Sequence, residues 1–202
     1  MTTTLLFLDI ETSGLDSGSF PIEIAWCDVD GHGEAHLIRP TSGWTAWNTE
    51  SEAMHGIARE RLLAEGKPAT AVARRAASAL SSKRVLVLSD APAFDQVWLD
   101  RLFAAGGNSR PVQLHSLWRV LRGSVTGMLR DVGAPGAALP DLLQYILEEA
   151  QRADAARGPI PHRALPDAQR NAAVWRHALS QTEELAERWR AAHVGGVREG
   201  RR

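Results

Sequence analysis

Residues 5–15 have the sequence LLFLDIETSGL, an apolar run that ends in two carboxylates one residue apart, Asp9 and Glu11. Alternate side chains of a β-strand point to the same face, so these two acids are expected to project together, with Cα atoms roughly 7 Å apart. Several oxygen ligands from a rigid frame suit hard divalent cations. Ser13 and Gly14 supply the turn that ends the strand. Two acids after a strand are more often part of a solvated loop, so this stretch alone leaves both interpretations open.

Asp95 lies just beyond a second predicted strand, at residues 84–89. Pro92 suits the first turn of the helix that follows, which places Asp95 near the start of that helix. An acid there gains only about 0.3 to 1 kcal/mol from the helix dipole, which by itself would explain its presence. Asp90 is predicted to be the N-cap of the same helix, accepting amide hydrogen bonds and keeping its charge away from the other acids.

His162 and Asp167 lie at the start of a third segment, residues 161–169 with the sequence PHRALPDAQ. This segment opens a helical pattern that continues to about Ala192. His162 precedes the helix and Asp167 lies in its first turns, so both side chains can point past the helix N-terminus into a common space. A lone histidine in a loop is usually an ordinary surface residue, and the spacing to Asp167 adds only weak evidence.

Taken together, these segments resemble the histidine-containing branch of the DEDD superfamily of 3′-to-5′ exonucleases. This branch includes bacterial proofreading subunits of the DNA polymerase III epsilon type, ribonuclease T and oligoribonuclease. The three motifs of that family match residues 7–15, then Phe94, Asp95 and Leu99, then residues 162–165 with Asp167 and Ala168. Two further stretches fit: residues 21–25, PIEIA, resemble the second strand of the family, and residues 54–57, MHGI, resemble its nucleotide-contacting turn. The resemblance extends over roughly residues 4–178.

The resemblance implies a metal-dependent phosphodiesterase site on an α/β fold, a ribonuclease H-like mixed five-stranded sheet flanked by helices. Asp9, Glu11, Asp95 and Asp167 would bind two divalent cations, Mg²⁺ or Mn²⁺, which activate the attacking water and stabilise the leaving 3′ oxygen. His162 would take the proton from that water. A histidine ordinarily titrates near pH 6.5, and a general base typically contributes about 10² to 10⁴ in rate.

The resemblance also implies the substrate and the residues that contact it. The substrate would be the 3′ end of single-stranded DNA or RNA, and the products nucleoside 5′-monophosphates. The residues expected to bind the terminal nucleotide are Thr12, Ser13, Gly14, Leu15, His55 and Phe94.

Length and composition are compatible with this interpretation. A chain of 202 residues is expected to form one domain over residues 1–193, with a disordered, basic and glycine-rich tail at 194–202. Cys27 is the only cysteine, which excludes an internal disulfide. Without a secretory leader or an apolar run near 18 residues, a cytoplasmic protein with no membrane partner is expected. The net charge of −1 gives no general electrostatic footprint for nucleic acid, so attraction of phosphate must be local.

Hydrophobic periodicity predicts a mixed sheet covered by helices. The predicted strands lie at residues 4–10, 21–29, 33–39, 84–89 and 112–114. The predicted helices lie at residues 51–65, 69–82, 93–105, 115–122, 139–155 and 165–192.

Some segments depart from the family pattern or have a second interpretation. Relatives commonly carry a polar histidine or asparagine pair before Phe-Asp, whereas residues 90–93 here are DAPA. Trp44 and Trp47, in a loop, could contact substrate or anchor that loop against the sheet, and anchoring is favoured. Residues 113–118, QLHSLW, superficially resemble peptides that dock on sliding clamps, but core packing is the better explanation.

No clear polymerase-binding extension or clamp-binding motif is recognised, which favours a free-standing repair, trimming or RNA-processing exonuclease over a replicative proofreading subunit. The oligomeric state is left open. Two alternatives remain: an oligoribonuclease or dinucleotide phosphodiesterase, and a catalytically silent interaction module with a nuclease fold. Against the silent module, all five catalytic positions of the family are present.

Overall fold

The structure, a computed structural model, describes residues 3–107, 112–159 and 162–194. Its strands are β1 (Thr4–Thr12), β2 (Pro21–Cys27), β3 (Gly33–Arg39), β4 (Lys67–Pro68), β5 (Val85–Ser89) and β6 (Leu114–Ser116). Its helices are α1 (Thr49–His55), α2 (Arg59–Glu65), α3 (Ala69–Leu80), α4 (Pro92–Ala105), α5 (Leu117–Asp131), α6 (Leu139–Ala155) and α7 (Ala164–Val194). The predicted tail lies outside the described residues, except for Val194 at the end of α7.

The strands form one mixed sheet in the order β4-β3-β2-β1-β5-β6. β2 pairs antiparallel with both β1 and β3, whereas β5 lies parallel to β1 and β6 parallel to β5. The predicted α/β class with a mixed sheet is therefore confirmed, but the predicted strand number of five is wrong. The sixth strand, β4, has two residues and pairs parallel with the end of β3. Two residues are too few to produce a strand periodicity in the sequence.

The described residues group into two compact units. The first is drawn from Met1–Leu117 and Ile160–Ala172 and contains the whole sheet. The second is drawn from Trp118–Pro159 and Ala173–Arg202 and is helical, with α6, most of α5 and the later part of α7. The single domain over residues 1–193 stays a prediction.

One face of β1 packs into the main core cluster, and the other face carries the predicted acids. Leu8 and Ile10 are buried in a cluster with Ile24 and Trp26 of β2 and with apolar side chains of α3 and α4. Burying a large aliphatic side chain stabilises a fold by about 1.5 to 3 kcal/mol, so this cluster fixes which face of β1 packs against α3 and α4. Because strand side chains alternate, the acids between and after these residues project from the opposite face.

Glycine explains one difference between the predicted and observed helices. The predicted helix 51–65 is two helices, because Gly56 adopts a left-handed backbone with φ 66° and ends α1, donating its amide to the Glu52 carbonyl at 2.8 Å. Glycine adopts that conformation without the Cβ clash of other residues.

Two smaller differences concern β6, which begins at Leu114, and α5, which continues to Asp131. Across the described residues, no helix is both long enough and apolar enough to span a bilayer.

Candidate active site

Asp9 and Glu11 lie on the strand at the centre of the sheet. In the antiparallel pairing of β1 with β2, Asp9 lies opposite Ala25 and Glu11 opposite Glu23, with a bulge after Glu11. Directly opposed residues share a face, so this face carries three acids. The prediction that Asp9 and Glu11 project together from a strand therefore agrees with the structure.

Asp95 lies in the first turn of α4, as the sequence predicted, and only 2% of its surface is exposed. The Ser89 hydroxyl, at the end of β5, donates a hydrogen bond to the Asp95 carboxylate and accepts one from the Ala91 amide at 3.0 Å. Because β5 is the parallel neighbour of β1, the chain that leaves β5 brings Asp95 to Asp9. Ser89, which sequence reasoning did not single out, thus orients this carboxylate.

The predicted N-cap role of Asp90 is wrong. The residue at the cap position of α4 is Ala91, and the helix has no side-chain cap hydrogen bond. Ser89, rather than Asp90, accepts the Ala91 amide. Asp90 is exposed, but its carboxylate approaches the neighbouring acids: oxygens of Asp9, Asp90 and Asp95 all lie within 4.8 Å of one another.

The third segment is held against β2 at the beginning of α7. Arg163 donates to both carboxylate oxygens of Glu23, from Nε at 2.9 Å and from Nη2 at 2.7 Å, and the Ala164 amide donates to the same group at 3.0 Å. The Arg163 amide donates to Asp167 Oδ2 at 3.1 Å. His162, directly before, has a positive φ of 50°, the only such value at a non-glycine residue in the described parts of the chain.

These elements bring together five carboxylates, which we call the acid cluster: Asp9, Glu11, Asp90, Asp95 and Asp167. Ligand oxygens of Asp9, Glu11 and Asp167 lie within 4.8 Å of one another, as do those of Asp9, Asp90 and Asp95. Asp9 belongs to both groups. Asp167 Oδ1 is buried without a hydrogen-bond partner among the described residues. An orphaned buried carboxylate oxygen beside other carboxylates fits a cation ligand, because burial of an unpaired charged oxygen is otherwise costly.

Burial and mutual repulsion perturb the titration of the acid cluster. Burial, followed by the charges of Asp95 and Glu11, raises the pKa of Asp9 well above its usual range. Burial together with the charge of Asp167 raises the pKa of Glu11 to about 7. Burial also raises the pKa of Asp95 to about 7, against the lowering effect of the Ser89 hydrogen bond. The folded protein therefore holds these carboxylates in the ionised form only at an electrostatic cost.

The end of β1 and the loop that follows it hold four of the predicted substrate-binding residues: Thr12, Ser13, Gly14 and Leu15. The Thr12 hydroxyl donates to the Gly14 carbonyl at 2.9 Å, and Ser13 Oγ accepts from the Phe20 amide at 3.1 Å. A Cβ at Gly14 would lie 2.8 Å from Ser19 Oγ, so the tight turn leaves no room for a side chain there. Leu15, which follows, is 76% exposed. The loop is thus braced internally and presents Leu15 to solvent.

His55 and Phe94 complete the predicted substrate set. His55 is buried, its Nδ1 accepts from the Ile57 amide at 3.0 Å, and its Nε2 has no partner among the described residues. Burial, the largest influence, lowers the His55 pKa, which favours a neutral ring with the proton on Nε2. Phe94 is 39% exposed and packs edge to face on Trp98.

The two loop tryptophans follow the anchoring interpretation. Trp44 stacks on Phe20 with ring centroids 5.3 Å apart, and Trp47 lies 6.3 Å from the same ring. Both pack against the buried cluster of Phe20, Ile22, Ile57 and Leu62. The Arg59 guanidinium lies over the rings of Phe20 and Trp47.

Comparison with known protein families identifies the class of protein. The exonuclease family model, RNase T, matches residues 6–175, which include all three motifs. The chain therefore belongs to this exonuclease family, and the matched span includes Asp9, Glu11, Asp95, His162 and Asp167. No curated protein matches the chain.

Solved structures of E. coli exonuclease I share the fold. The zinc-bound complex with single-stranded DNA is 20% identical, with a TM-score of 0.66, over 93% of this chain and 42% of that chain. The complex of the E. coli enzyme with a dA16 oligonucleotide is 19% identical, with a TM-score of 0.52, over 62% of this chain and 30% of that chain. The chain thus spans less than half the length of these structures. The likeness establishes the ribonuclease H-like fold.

Proposed function

We propose that the chain is a divalent-metal-dependent 3′-to-5′ exonuclease that releases nucleoside 5′-monophosphates from single-stranded nucleic acid. The observation that supports this most directly is the sharing of Asp9 between two groups of ligand oxygens, each compact enough for one cation. Two-metal phosphodiester cleavage uses two adjacent cations, and Asp9 could contribute a ligand oxygen to each of them.

Four members of the acid cluster supply the ligands in this proposal: Asp9, Glu11, Asp95 and Asp167. Asp9 would bridge two sites, with Glu11 and Asp167 on one side and Asp95 on the other. Two divalent cations, Mg²⁺ or Mn²⁺, when bound, would supply Lewis acidity for the attacking water and for the leaving 3′ oxygen. Ser89 and the Arg163 amide orient carboxylates of the acid cluster through hydrogen bonds, which limits the rearrangement needed for binding.

His162 is proposed as the general base. It lies directly before Arg163 and five residues before Asp167, and its charge is among the influences that lower the pKa of Asp167, against the larger raising effect of burial. A histidine this close to the carboxylates can accept a proton from water held among them. The unusual backbone of His162 supports the proposal, because strained residues concentrate at functional sites.

A single-stranded 3′ end is the proposed substrate. Leu15 and Phe94 are large apolar side chains that remain exposed, and each lies within a few residues of an acid of the cluster. Exposed aromatic and aliphatic side chains beside a phosphodiester site can pack on unpaired bases. Exonuclease I, which shares the fold, is described in complex with single-stranded DNA and with a zinc ion.

End-labelled oligonucleotides test the proposal. Single-stranded DNA and RNA with a 3′ hydroxyl are incubated with the protein and Mg²⁺ or Mn²⁺. The comparison substrates are the same strands with a 3′ phosphate, a circular single strand and dinucleotides. The Asp9→Asn protein is the inactive control. We expect stepwise release of 5′-monophosphates from free 3′ hydroxyls and little turnover of blocked ends. Efficient cutting of the circle would indicate an endonuclease. Preference for dinucleotides would support the alternative of an oligoribonuclease or dinucleotide phosphodiesterase. Inactivity on every substrate would support the alternative of a catalytically silent interaction module.

A further inference from the structure

Glu23 is a buried acid within an otherwise apolar strand. It lies in the middle of β2, where every residue is buried, and only 3% of its surface is exposed. It is directly opposite Glu11 of the acid cluster. A carboxylate this deeply buried needs paired charge and hydrogen bonds to be tolerated, so its partners define its role.

Both Glu23 oxygens are engaged by the segment that carries the proposed base. Oε1 accepts from Arg163 Nη2 at 2.7 Å, and Oε2 accepts from Arg163 Nε at 2.9 Å and from the Ala164 amide at 3.0 Å. The bidentate geometry is the strongest and most directional form of a carboxylate–arginine contact. Glu23 therefore attaches the beginning of α7 to the central sheet, rather than serving as a free ligand oxygen.

The segment that Glu23 attaches to the sheet carries two residues of the proposed site, His162 and Asp167. His162, immediately before Arg163, adopts a left-handed backbone that a residue with a Cβ adopts only at a cost, and such conformations persist when the surroundings enforce them. Asp167 is tied to the same point, because its Oδ2 accepts the Arg163 amide at 3.1 Å and its own amide donates to the Arg163 carbonyl at 3.0 Å. One attachment thus restrains both residues.

We infer that Glu23 and Arg163 are a positioning pair, which fixes His162 and Asp167 against the sheet in the arrangement needed for phosphodiester cleavage. The inference rests on the proposed function, in which His162 is the base and Asp167 a metal ligand. Displacement of a catalytic group by about 1 Å can lower a rate by about 10²-fold. The pair would therefore act on turnover through its neighbours, without touching the substrate.

The chain offers a matched control in a second strand-to-helix ion pair. Glu34 of β3 is contacted through both carboxylate oxygens by Arg75 of α3, with Arg75 Nε 3.0 Å from Oε2. Both pairs join a strand glutamate to a helix-region arginine, but Glu34 and Arg75 contact no residue of the acid cluster in the hydrogen bonds described. Glu34 also contacts His36 and is more exposed than Glu23, but Glu34→Gln weakens the same kind of carboxylate–arginine contact without touching Arg163.

The test compares Glu23→Gln with Glu34→Gln by steady-state kinetics and by amide hydrogen exchange of the metal-free proteins. For Glu23→Gln we expect kcat to fall by about 10- to 100-fold, with KM within about threefold of the wild type. Exchange at the Ala164 and Asp167 amides should accelerate about 10-fold or more. In a His162→Ala background, Glu23→Gln should lower kcat by much less than in the wild type, because groups that act together are not additive. Glu34→Gln should change each quantity by less than about twofold.

Two results would overturn the inference. One is a folded Glu23→Gln protein whose kcat and exchange match those of Glu34→Gln. The other is an equal loss of kcat with and without His162, which would mean that Glu23 acts independently of it. If Glu23→Gln does not fold, Arg163→Lys, which keeps the charge but loses the bidentate contact, is measured in the same way. If the wild type cleaves nothing, the proposed function fails, whereas the exchange data still decide whether the pair holds this segment.

Discussion

Two regions of the sheet unit bring carboxylates and other metal-binding groups together, and they differ in burial and in how hydrogen bonds satisfy the carboxylates. The first is the acid cluster. The second, which we call the hairpin triad, consists of Asp28, Asp30 and His32 in the turn between β2 and β3. In both regions three ligand atoms lie within 4.8 Å of one another. Distance alone therefore does not distinguish them.

The hairpin triad is satisfied by its own backbone. Asp28 Oδ1 accepts from the Asp30 amide at 3.0 Å and from the His32 amide at 2.9 Å, the usual arrangement of an aspartate that closes a turn. The side chain of His32 is 84% exposed, so water solvates the group. A turn of this kind is stable without a cation.

The acid cluster receives hydrogen bonds from the Ser89 hydroxyl to Asp95 and from the Arg163 amide to Asp167, but these do not cancel the effect of burial on the two carboxylates. Its members come from two strands' ends and two helix starts, and burial and mutual repulsion raise the pKa of Asp9, Glu11 and Asp95. Asp167 Oδ1 is buried without a partner among the described residues. An electrostatic cost that the protein only partly relieves, rather than the proximity of oxygens, therefore distinguishes the region where cations would bind.

The largest expected effect separates the two regions directly. Asp9→Asn should lower kcat by at least about 10³-fold, because Asp9 alone belongs to both ligand groups, and Glu11→Gln, Asp95→Asn and Asp167→Asn should also nearly abolish activity. Asp28→Asn should stay within about twofold of the wild type. Initial rates of cleavage of a 3′-labelled single strand with Mn²⁺ measure the activity of the acid-cluster variants and of Asp28→Asn. A loss of activity in Asp28→Asn equal to that in Asp9→Asn would contradict the distinction.

The sequence predicted the placement of Asp9, Glu11 and Asp95 better than that of Asp90, for a physical reason. Strand alternation placed Asp9 and Glu11 on one face, and a helix-start pattern placed Asp95 beyond a strand end. Such periodicities are local, so they can be recognised without tertiary information. That the three motifs converge in space depended on the family resemblance, since pairing of distant strands leaves no local pattern.

The features that the sequence did not predict depend on tertiary contacts. Asp90 was expected to cap α4, but Ser89 accepts the Ala91 amide instead, and nothing local favours one oxygen over the other. The role of Glu23 was missed, although a single acid within the apolar residues 21–27 was a usable signal. The partner of that acid, Arg163, lies 140 residues away along the chain.

The next largest effect concerns the base. His162→Ala should lower kcat by about 10² to 10⁴ while Mn²⁺ affinity stays within about threefold, because the proposed mechanism uses the residue to accept a proton and not as a metal ligand. Single-turnover rates and isothermal titration with Mn²⁺ check the two parts separately. His32→Ala in the hairpin triad is the matched control and should leave both unchanged. An unaltered single-turnover rate in His162→Ala would assign proton transfer to another group.

A smaller effect is expected in stability. The folded-state pKa of Glu11 and of Asp95 is raised to about 7, so between about pH 4 and 7 the folded protein binds more protons than the unfolded chain. The free energy of unfolding of the metal-free protein should therefore fall as pH rises through this window. Mn²⁺ should raise Tm by several degrees at pH 7.5 and by much less at pH 5, as thermal unfolding can measure. Asp95→Asn should flatten the pH dependence, whereas Asp28→Asn should not.

The smallest effect concerns Asp90, which is exposed like the hairpin triad but lies at the edge of the acid cluster. Two unit charges 4 Å apart interact by about 1 kcal/mol in bulk water, and a divalent cation doubles this before salt screening reduces it. Asp90→Asn should therefore raise the Mn²⁺ concentration for half-maximal activity about 3- to 10-fold, while kcat at saturating Mn²⁺ stays within about threefold.

The metal-free protein provides an independent measure of the same charge. Asp90 is among the groups that raise the pKa of Asp9 and of Asp95, after burial in both cases. Its removal should relieve that repulsion, so Asp90→Asn without metal should unfold at a slightly higher temperature than the wild type at pH 8. Asp30→Asn removes a charge from the hairpin triad. It should change neither the Mn²⁺ concentration for half-maximal activity nor the unfolding temperature of the metal-free protein at pH 8. If Asp90→Asn instead lost Mn²⁺ binding and turnover as completely as Asp95→Asn, Asp90 would be a direct ligand, and Asp9 would bridge two groups of three acids.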